Sequence, residues 1–392
     1  MTKSQSSKAQ KIDTQLTQIG RNPSDFHGFV NPPVVHASTV LFPDIETMSL
    51  GSQKYSYARR GTPTTESLEN AITELEGAAG TKLATSGLNA IATACLSCLK
   101  AGDHILIADT AYGPTREFAD TVLPKFAIEV DYYDPALGAN IKNLFKDNTT
   151  AVLTESPGSL TFEMQDIPAL ASAAKNIGAT VIMDNTWASP LYCRPLDLGV
   201  DLSIQAGTKY IVGHSDVMLG TISASERAWP ALHAFHGTTG LHVAPDDVYL
   251  ALRGLRTLSV RLERHMKNAL VVADWLKTRP EVANIRYPAL ESDPGHSIWK
   301  RDFTGASSLF AFDFRQGTTD AQSTLFFNTL TLFGLGYSWG GFESLAIPVK
   351  LKDQRTATAY DADQKSARLH IGLEDPEDLI NDLAQAFDKA FG

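Results

Sequence analysis

Two charged residues stand where strand-like runs end. Asp184 closes the apolar run Val181-Ile182-Met183, and Lys209 follows the run 202–206 within Gly207-Thr208-Lys209-Tyr210. Alone, Asp184 reads as a loop-capping carboxylate, and a Thr-Lys dipeptide carries little information. On the ends of consecutive strands, the two place an ammonium and a carboxylate around one crevice. Pyridoxal phosphate requires that arrangement: a lysine to form the Schiff base with its aldehyde, and an acid to pair with its protonated ring nitrogen. The same cofactor needs an anion cradle and a flat contact. Ser86-Gly87-Leu88 opens a helical stretch and offers free backbone N–H groups to a phosphate. Ala111-Tyr112-Gly113 follows the next strand and supplies an aromatic face. The structural readings of these two segments are a plain helix start and a core aromatic.

The elements that must hold these residues are legible in the hydrophobic pattern. Leu68, Ala71, Ile72 and Leu75 follow helical spacing and Gly77 ends that helix; a second helix runs from about residue 87 to 102. Runs 104–109, 126–132, 151–155, 180–184 and 202–206 read as short buried strands separated by helical stretches, which predicts a mainly parallel α/β sheet. In such sheets ligands gather at the carboxyl ends of the strands. Residues 246–278 carry one long helical stripe, with Leu255, Leu258, Leu262 and Met266 along it. Beyond it, 307–314 and 368–371 read as strands, and Asp375-Pro376 caps a last helix bearing Leu379, Leu383 and Phe387. The expected division is an N-terminal arm over 1–60, a large α/β domain over 61–252 and a smaller α+β domain over 253–392.

Composition narrows the classes. The chain has 392 residues, 43% hydrophobic and 20% charged, which provides for a core and excludes a disordered polymer. With 44 acidic and 34 basic residues the formal charge is −10, so neither nucleic acid nor an anionic membrane is the expected partner. No apolar stretch approaches the ~20 residues of a membrane span, and residues 1–11 are polar, so the expected location is the cytoplasm. Cys95, Cys98 and Cys193 are too few for a disulfide framework. Cys95 and Cys98 recur with Ile91 at helical spacing and read as core; no metal set is completed.

A longer series of motifs occurs in order: Tyr57-Ala58-Arg59-Arg60-Gly61-Thr62, Ser86-Gly87, Asp109-Thr110-Ala111-Tyr112, Asp184-Asn185-Thr186, Thr208-Lys209-Tyr210, Gly213-His214-Ser215-Asp216, 337–344 (YSWGGFES) and Arg368-Leu369-His370. With this series the chain resembles the trans-sulfuration enzymes of cysteine and methionine metabolism, and most closely the bacterial cystathionine β-lyases, from about His36 to the last helix. The resemblance implies the type I fold of pyridoxal-phosphate-dependent transferases. By the same resemblance, Lys209 is the Schiff-base lysine, Asp184 the ring-nitrogen partner and Tyr112 the stacking residue. Gly87, Leu88 and Thr208 hold the phosphate, while Tyr57 and Arg59 reach the phosphate of a neighbouring subunit, which implies a homo-oligomer built from active dimers. Arg368 clamps the substrate carboxylate with Ser338 and Trp339, and a guanidinium suits that bidentate task better than an ammonium. Tyr249 is a candidate for the distal end of the substrate.

Three departures refine that resemblance. Glu155-Ser156-Pro157-Gly158-Ser159-Leu160 replaces the E-S-P-T-N-P of the γ-acting relatives, and Trp339 replaces their leucine; both resemble the β-lyases. Ala206 stands where many relatives have a serine, which removes one phosphate hydroxyl. The implied reaction is β-elimination of L-cystathionine to homocysteine, pyruvate and ammonia, with Lys209 as base. Tyr112 serves as a second proton carrier only if neighbouring cations lower its phenol. Alternatives that remain open are a cysteine or cystine desulfhydrase, a cystathionine γ-synthase or γ-lyase, and a catalytically silent binding homologue. His214 and His370 read as structural hydrogen-bonding groups, His233 and His236 as surface or packing residues, and Arg253 and Arg256 as ion-pair or dimer contacts.

Overall fold

Apolar β-branched runs bounded by turns build two sheets in this computed structural model, which describes residues 10–351, 354–361 and 363–392. The first nine residues of the expected arm therefore lie outside the described residues. The first sheet contains β1 (Gly80–Ala84), β2 (His104–Ala108), β3 (Glu129–Tyr133), β4 (Thr149–Glu155), β5 (Thr180–Asp184), β6 (Leu202–Gln205) and β7 (Gly220–Ala224), in the order β1-β7-β6-β5-β4-β2-β3. Its central pairings are parallel, and only β7 runs against its neighbours. The second sheet contains β8 (Val282–Arg286), β9 (Leu309–Phe314), β10 (Gly334–Leu335), β11 (Leu345–Pro348) and β12 (Ser366–His370), in the order β10-β11-β12-β9-β8 and mostly antiparallel.

The expected strands are present with shifted ends. The third begins at Glu129 rather than at Phe126, because Leu123–Phe126 coil into a 3₁₀ turn closed by Ala127 at φ 55°. β1 and β7 were not anticipated: Gly80-Thr81-Lys82 and Gly220-Thr221-Ile222-Ser223 carry too few large apolar residues to stand out. They pair with each other, and β7 also pairs with β6, so hydrogen bonding in the sheet stands in for local propensity.

The single helix expected over 246–278 is two, Pro245–Leu255 and Leu258–Leu276. The break falls beside Arg256, whose Nη1 donates to the carbonyls of Leu16 and Ile19, so this side chain pins the N-terminal helix Ile12–Gln18 rather than forming an ion pair. The helix expected to reach residue 102 ends at Cys98, whereas two other helix ends follow their sequence signals. Gly77 closes Pro63–Glu76 at φ 64°, and Asp375 caps Pro376–Phe391. Cys95 is buried inside the helix Gly87–Cys98, and no group of His, Cys, Asp and Glu among the described residues can hold a metal. No described helix is long and apolar enough to cross a membrane.

One face of the first sheet shares its core with the second: Leu106, Val152 and Met183 belong to the same cluster as Phe310, Phe312, Phe326 and Phe387. The segment between β11 and β12 ties the sheets together again above that core. Asp109, at the end of β2, accepts from Arg116 Nη1 (2.9 Å), from the N–H groups of Thr356, Ala357 and Thr358, and from both threonine hydroxyls. By contrast, Phe29, Val30, Leu41, Ile45 and Leu50 are each more than 60% exposed.

Burial alone would raise the Asp109 carboxyl. The Thr356 and Thr358 donors and the Arg116 guanidinium outweigh it and hold the group below its usual range. A depressed carboxylate contributes stability that is present above its unfolded pKa of about 4 and is lost as the pH falls through the folded value. We therefore expect amide exchange of Thr356–Thr358, corrected for intrinsic rates, to accelerate selectively as the pH drops below about 4. Uniform protection down to acid unfolding would refute the account.

Candidate active site

The carboxyl ends of β4, β5 and β6 bring the site together. Asp184 is the last residue of β5, in register with Glu155 at the end of β4 and with Ile204 on β6. Its Oδ1 accepts from both the N–H (2.9 Å) and the hydroxyl (2.5 Å) of Thr186, and Thr186 Oγ1 in turn accepts from the Ala206 N–H (2.8 Å). This short relay locks the end of β5 to the segment carrying Lys209. Asp184 Oδ2 has no hydrogen-bond donor among the described residues. Burial raises the Asp184 carboxyl above its usual range, and neither the Thr186 bonds nor the charge of Lys209 cancels the effect.

Lys209 is brought within reach of the same charge. Burial, reinforced by the Arg368 cation and opposed by Asp184, lowers its ammonium to about 8. Its Nζ donates to Ser338 Oγ (2.5 Å) and lies 5.3 Å from the centre of the Trp339 ring. Arg368 projects from β12, 8% exposed, with Nη2 donating to the Ser338 carbonyl (3.0 Å) and Nε buried without an acceptor. Burial pulls the Arg368 guanidinium down to about 10. Among the described residues neither cation forms a salt bridge, although Arg368 is buried and Lys209 half-buried.

The remaining expected groups divide. Ser86 caps the helix Gly87–Cys98 through the Asn89 N–H, which leaves the N–H groups of Gly87 and Leu88 pointing out of its first turn. A Cβ on Gly87 would meet that of Ala206 at 2.4 Å, so glycine lets this helix start press against the end of β6. Thr208 is close by in sequence, but its hydroxyl donates to the Leu219 carbonyl and accepts the Leu219 N–H. Tyr112 begins the helix Gly113–Thr121, 44% exposed, its N–H on Glu155 Oε2 (2.8 Å). Tyr57, Arg59 and Tyr249 form no hydrogen bond with this cluster. Arg59 donates instead to the Gly237 carbonyl, and Tyr249 sits half-buried on Pro245–Leu255.

Tyr112 does not have the lowered phenol that a base requires. Burial raises it, Glu155 and Asp184 add to the rise, and Arg368 only partly offsets them. At neutral pH it keeps its proton. Glu155 is the group for which the sequence suggested no role: half-buried beside Asp184, it is raised well above the carboxylate range, first by burial and then by that neighbouring charge. Its position at the end of a buried strand is the same signal that singled out Asp184.

The site thus has an acid short of a cation and two cations short of anions. A pyridoxal phosphate together with an amino-acid substrate supplies the matching groups, a basic ring nitrogen and two anions, and the open N–H groups at Gly87 and Leu88 suit the phosphate. The molecule has the architecture of a type I pyridoxal-phosphate-dependent enzyme. More narrowly, the chain belongs to the Cys/Met metabolism PLP-dependent enzyme family, which it matches over residues 13–388. It is 53% identical over 382 residues to a putative cystathionine β-lyase of Rhizobium johnstonii, covering 97% of this chain and 96% of that one. It is 41% identical over 387 residues to the cystathionine β-lyase of Salmonella typhimurium, covering 96% and 98%. The crystal structure of cystathionine γ-lyase from Lactobacillus plantarum, complexed with L-serine, is 30% identical with a TM-score of 0.89 over 97% of this chain and 99% of that one.

The charge balance around Lys209 has a sign that can be measured without the cofactor. In coenzyme-free protein, acylation of the Lys209 amine should titrate with a midpoint of about 8. Arg368→Gln should raise that midpoint and Asp184→Asn should lower it, as followed by mass spectrometry of the Lys209 peptide. Shifts in the opposite directions would overturn the electrostatic account.

Proposed function

We propose that this chain catalyses β-elimination of L-cystathionine, breaking the Cβ–S bond to release homocysteine, with pyruvate and ammonia as the other products once water is added. The observation that carries the reading is the convergence of Lys209, Asp184 and Arg368, three charged groups drawn toward neutrality by burial and without salt-bridge partners among the described residues, in a chain of this family. When bound, pyridoxal phosphate supplies an aldehyde for the substrate amine and a conjugated ring that accepts the electron pair left at Cα.

Lys209 would hold the coenzyme through its amine and, with a substrate bound, would serve as the base. An amine at about 8 is deprotonated in a useful fraction at neutral pH, whereas an ordinary lysine is not. It takes the Cα proton and returns a proton to the departing sulfur. Asp184 keeps the ring nitrogen protonated, while Tyr112, a phenol that retains its proton, stacks on the ring rather than acting as base. Gly87 and Leu88 donate their N–H groups to the phosphate, and Thr208 joins them by turning its hydroxyl away from Leu219. Arg368 receives the α-carboxylate with Ser338 and Trp339 beside it, and Tyr249 is assigned to the distal end of the substrate.

Residues 61–252 form the coenzyme-binding unit and 253–392 the unit that grips the carboxylate, with the arm before residue 61 laid on a second subunit. The exposed Phe29, Val30, Leu41, Ile45 and Leu50 support that placement, because an isolated surface gains nothing from so much uncovered apolar area. Tyr57 and Arg59 then serve the partner's phosphate, in a cytoplasmic assembly of paired active dimers.

Product analysis tests the reading. Incubation of the coenzyme-loaded protein with L-cystathionine should yield pyruvate and homocysteine, and 2-oxobutyrate with cysteine would contradict it. Lys209→Ala should lose at least ~10³-fold in kcat, since it removes both the coenzyme's anchor and the proton carrier.

A further inference from the structure

The turn that carries Ser338 and Trp339 has a backbone that does not hold itself. Ser338 sits at φ 80° and Gly340 at φ 86°, in the left-handed region that a serine pays to occupy. The turn also rests directly on the lysine: a Cβ on Gly340 would stand 2.9 Å from the Lys209 Cα. Something outside the turn must fix it, and two side chains of β12 do so. Arg368 holds the Ser338 carbonyl, and His370, on the same face two residues further, reaches the Gly341 carbonyl with Nε2 (3.1 Å).

His370 is fully buried, and burial drives its imidazole well below the usual range, so it is neutral and carries one N–H. Its surroundings decide which nitrogen bears it. The Gly341 carbonyl only accepts, so Nε2 is the donor and Nδ1 is left as acceptor for the Ser308 hydroxyl (2.9 Å). Ser308 Oγ then accepts the proton of Tyr210 (3.0 Å), whose oxygen in turn accepts the Ser308 N–H (3.2 Å). The Gly340 N–H is nearly equidistant from both ring nitrogens, 3.2 and 3.5 Å, and so meets the ring rather than a lone pair. Every proton in the chain Tyr210, Ser308, His370, Gly341 thus points one way, from the residue next to Lys209 back to the turn that lies against Lys209.

We propose that His370 is a positioning residue for substrate binding: it fastens the Gly341 carbonyl to the Ser308–Tyr210 pair and thereby sets the turn that presents Ser338 and Trp339 beside Arg368. This rests on the reading that Arg368 and the turn receive the carboxylate of an amino acid. It differs from a general packing role because it assigns the effect to one hydrogen bond, the Nε2 donor.

The two ring nitrogens can be separated by substitution. In His370→Gln the amide nitrogen stands near the place of Nε2 and keeps the bond to Gly341; in His370→Asn the amide oxygen stands near the place of Nδ1 and keeps only the bond from Ser308. Glycine, an amino acid with a carboxylate and no leaving group, is the probe, titrated against the absorbance of the coenzyme-loaded enzyme. His370→Asn should weaken glycine binding by about 5- to 10-fold, the worth of one buried hydrogen bond, and His370→Gln should restore it to within about 2-fold. The KM for cystathionine should follow the glycine series, with kcat changing less. Ser308→Ala, which keeps the imidazole but removes the hydroxyl that anchors its Nδ1 and so loosens the turn only indirectly, covers the case in which His370 variants misfold, and should weaken glycine by about 3-fold. Equal affinity in all variants, or equal weakening by Asn and Gln, would overturn the proposal. Absence of pyruvate from the unmodified enzyme would instead remove the proposed reaction and leave the glycine comparison valid.

Discussion

A carboxylate enclosed at the end of a β-strand without a cation to pair with is the constraint around which this molecule is arranged. Removing an ionised acid from water costs several kcal/mol unless a partner replaces the lost hydration. Asp184 receives two donors from Thr186 on one oxygen and, among the described residues, no donor on the other, and burial raises its carboxyl. Lys209 and Arg368 show the mirror effect, both drawn downward by burial. Three groups displaced toward neutrality in one crevice describe a site whose charges are completed only by what binds there. Perturbed ionisation of this kind is a signature of function, and here its direction at each residue also indicates the charge of the missing partner.

That site is held by close approach of backbone rather than by bulk. The Thr186 hydroxyl joins the ends of β5 and β6, so that Asp184 and the segment leading to Lys209 cannot shift independently. Gly87 presses the start of its helix onto Ala206, and Gly220 on β7 leaves room for the Ser86 carbonyl, which a Cβ there would meet at 2.2 Å. The start of that helix is thereby fixed against β7 and against Ala206, three residues before Lys209. Ala206 has a second consequence: a larger side chain there would press on Gly87, so the residue that forgoes a phosphate hydroxyl also permits the contact.

What the sequence disclosed follows from which interactions are local. Helix ends were legible at Gly77 and Asp375 because capping is decided within four residues, and the buried parallel strands were legible because both their faces are apolar. β1 and β7 were not, because their place depends on each other and on β6. The break at Arg256 was hidden for a similar reason, since an uninterrupted leucine stripe says nothing of a guanidinium turning back to the carbonyls of Leu16 and Ile19. In the site, Asp184 and Lys209 were found from strand ends, while Arg368, Ser338 and Trp339 were reached only through family resemblance. Their setting is a turn with two positive φ angles, held from β12 by contacts 29 and 30 residues away in sequence, and no spacing rule encodes it.

The same long-range contacts join the two sheets around the candidate site. β2 and β12 belong to different sheets, yet the segment leading into β12 delivers three backbone N–H groups and two hydroxyls to Asp109, three residues before Tyr112. From the other side, Lys209 reaches across to Ser338. Tyr112 and Arg368 are therefore connected through protein on both flanks. Tyr112 is 44% exposed while Arg368 is 8% exposed, so the crevice is open at the aromatic side and closed at the guanidinium.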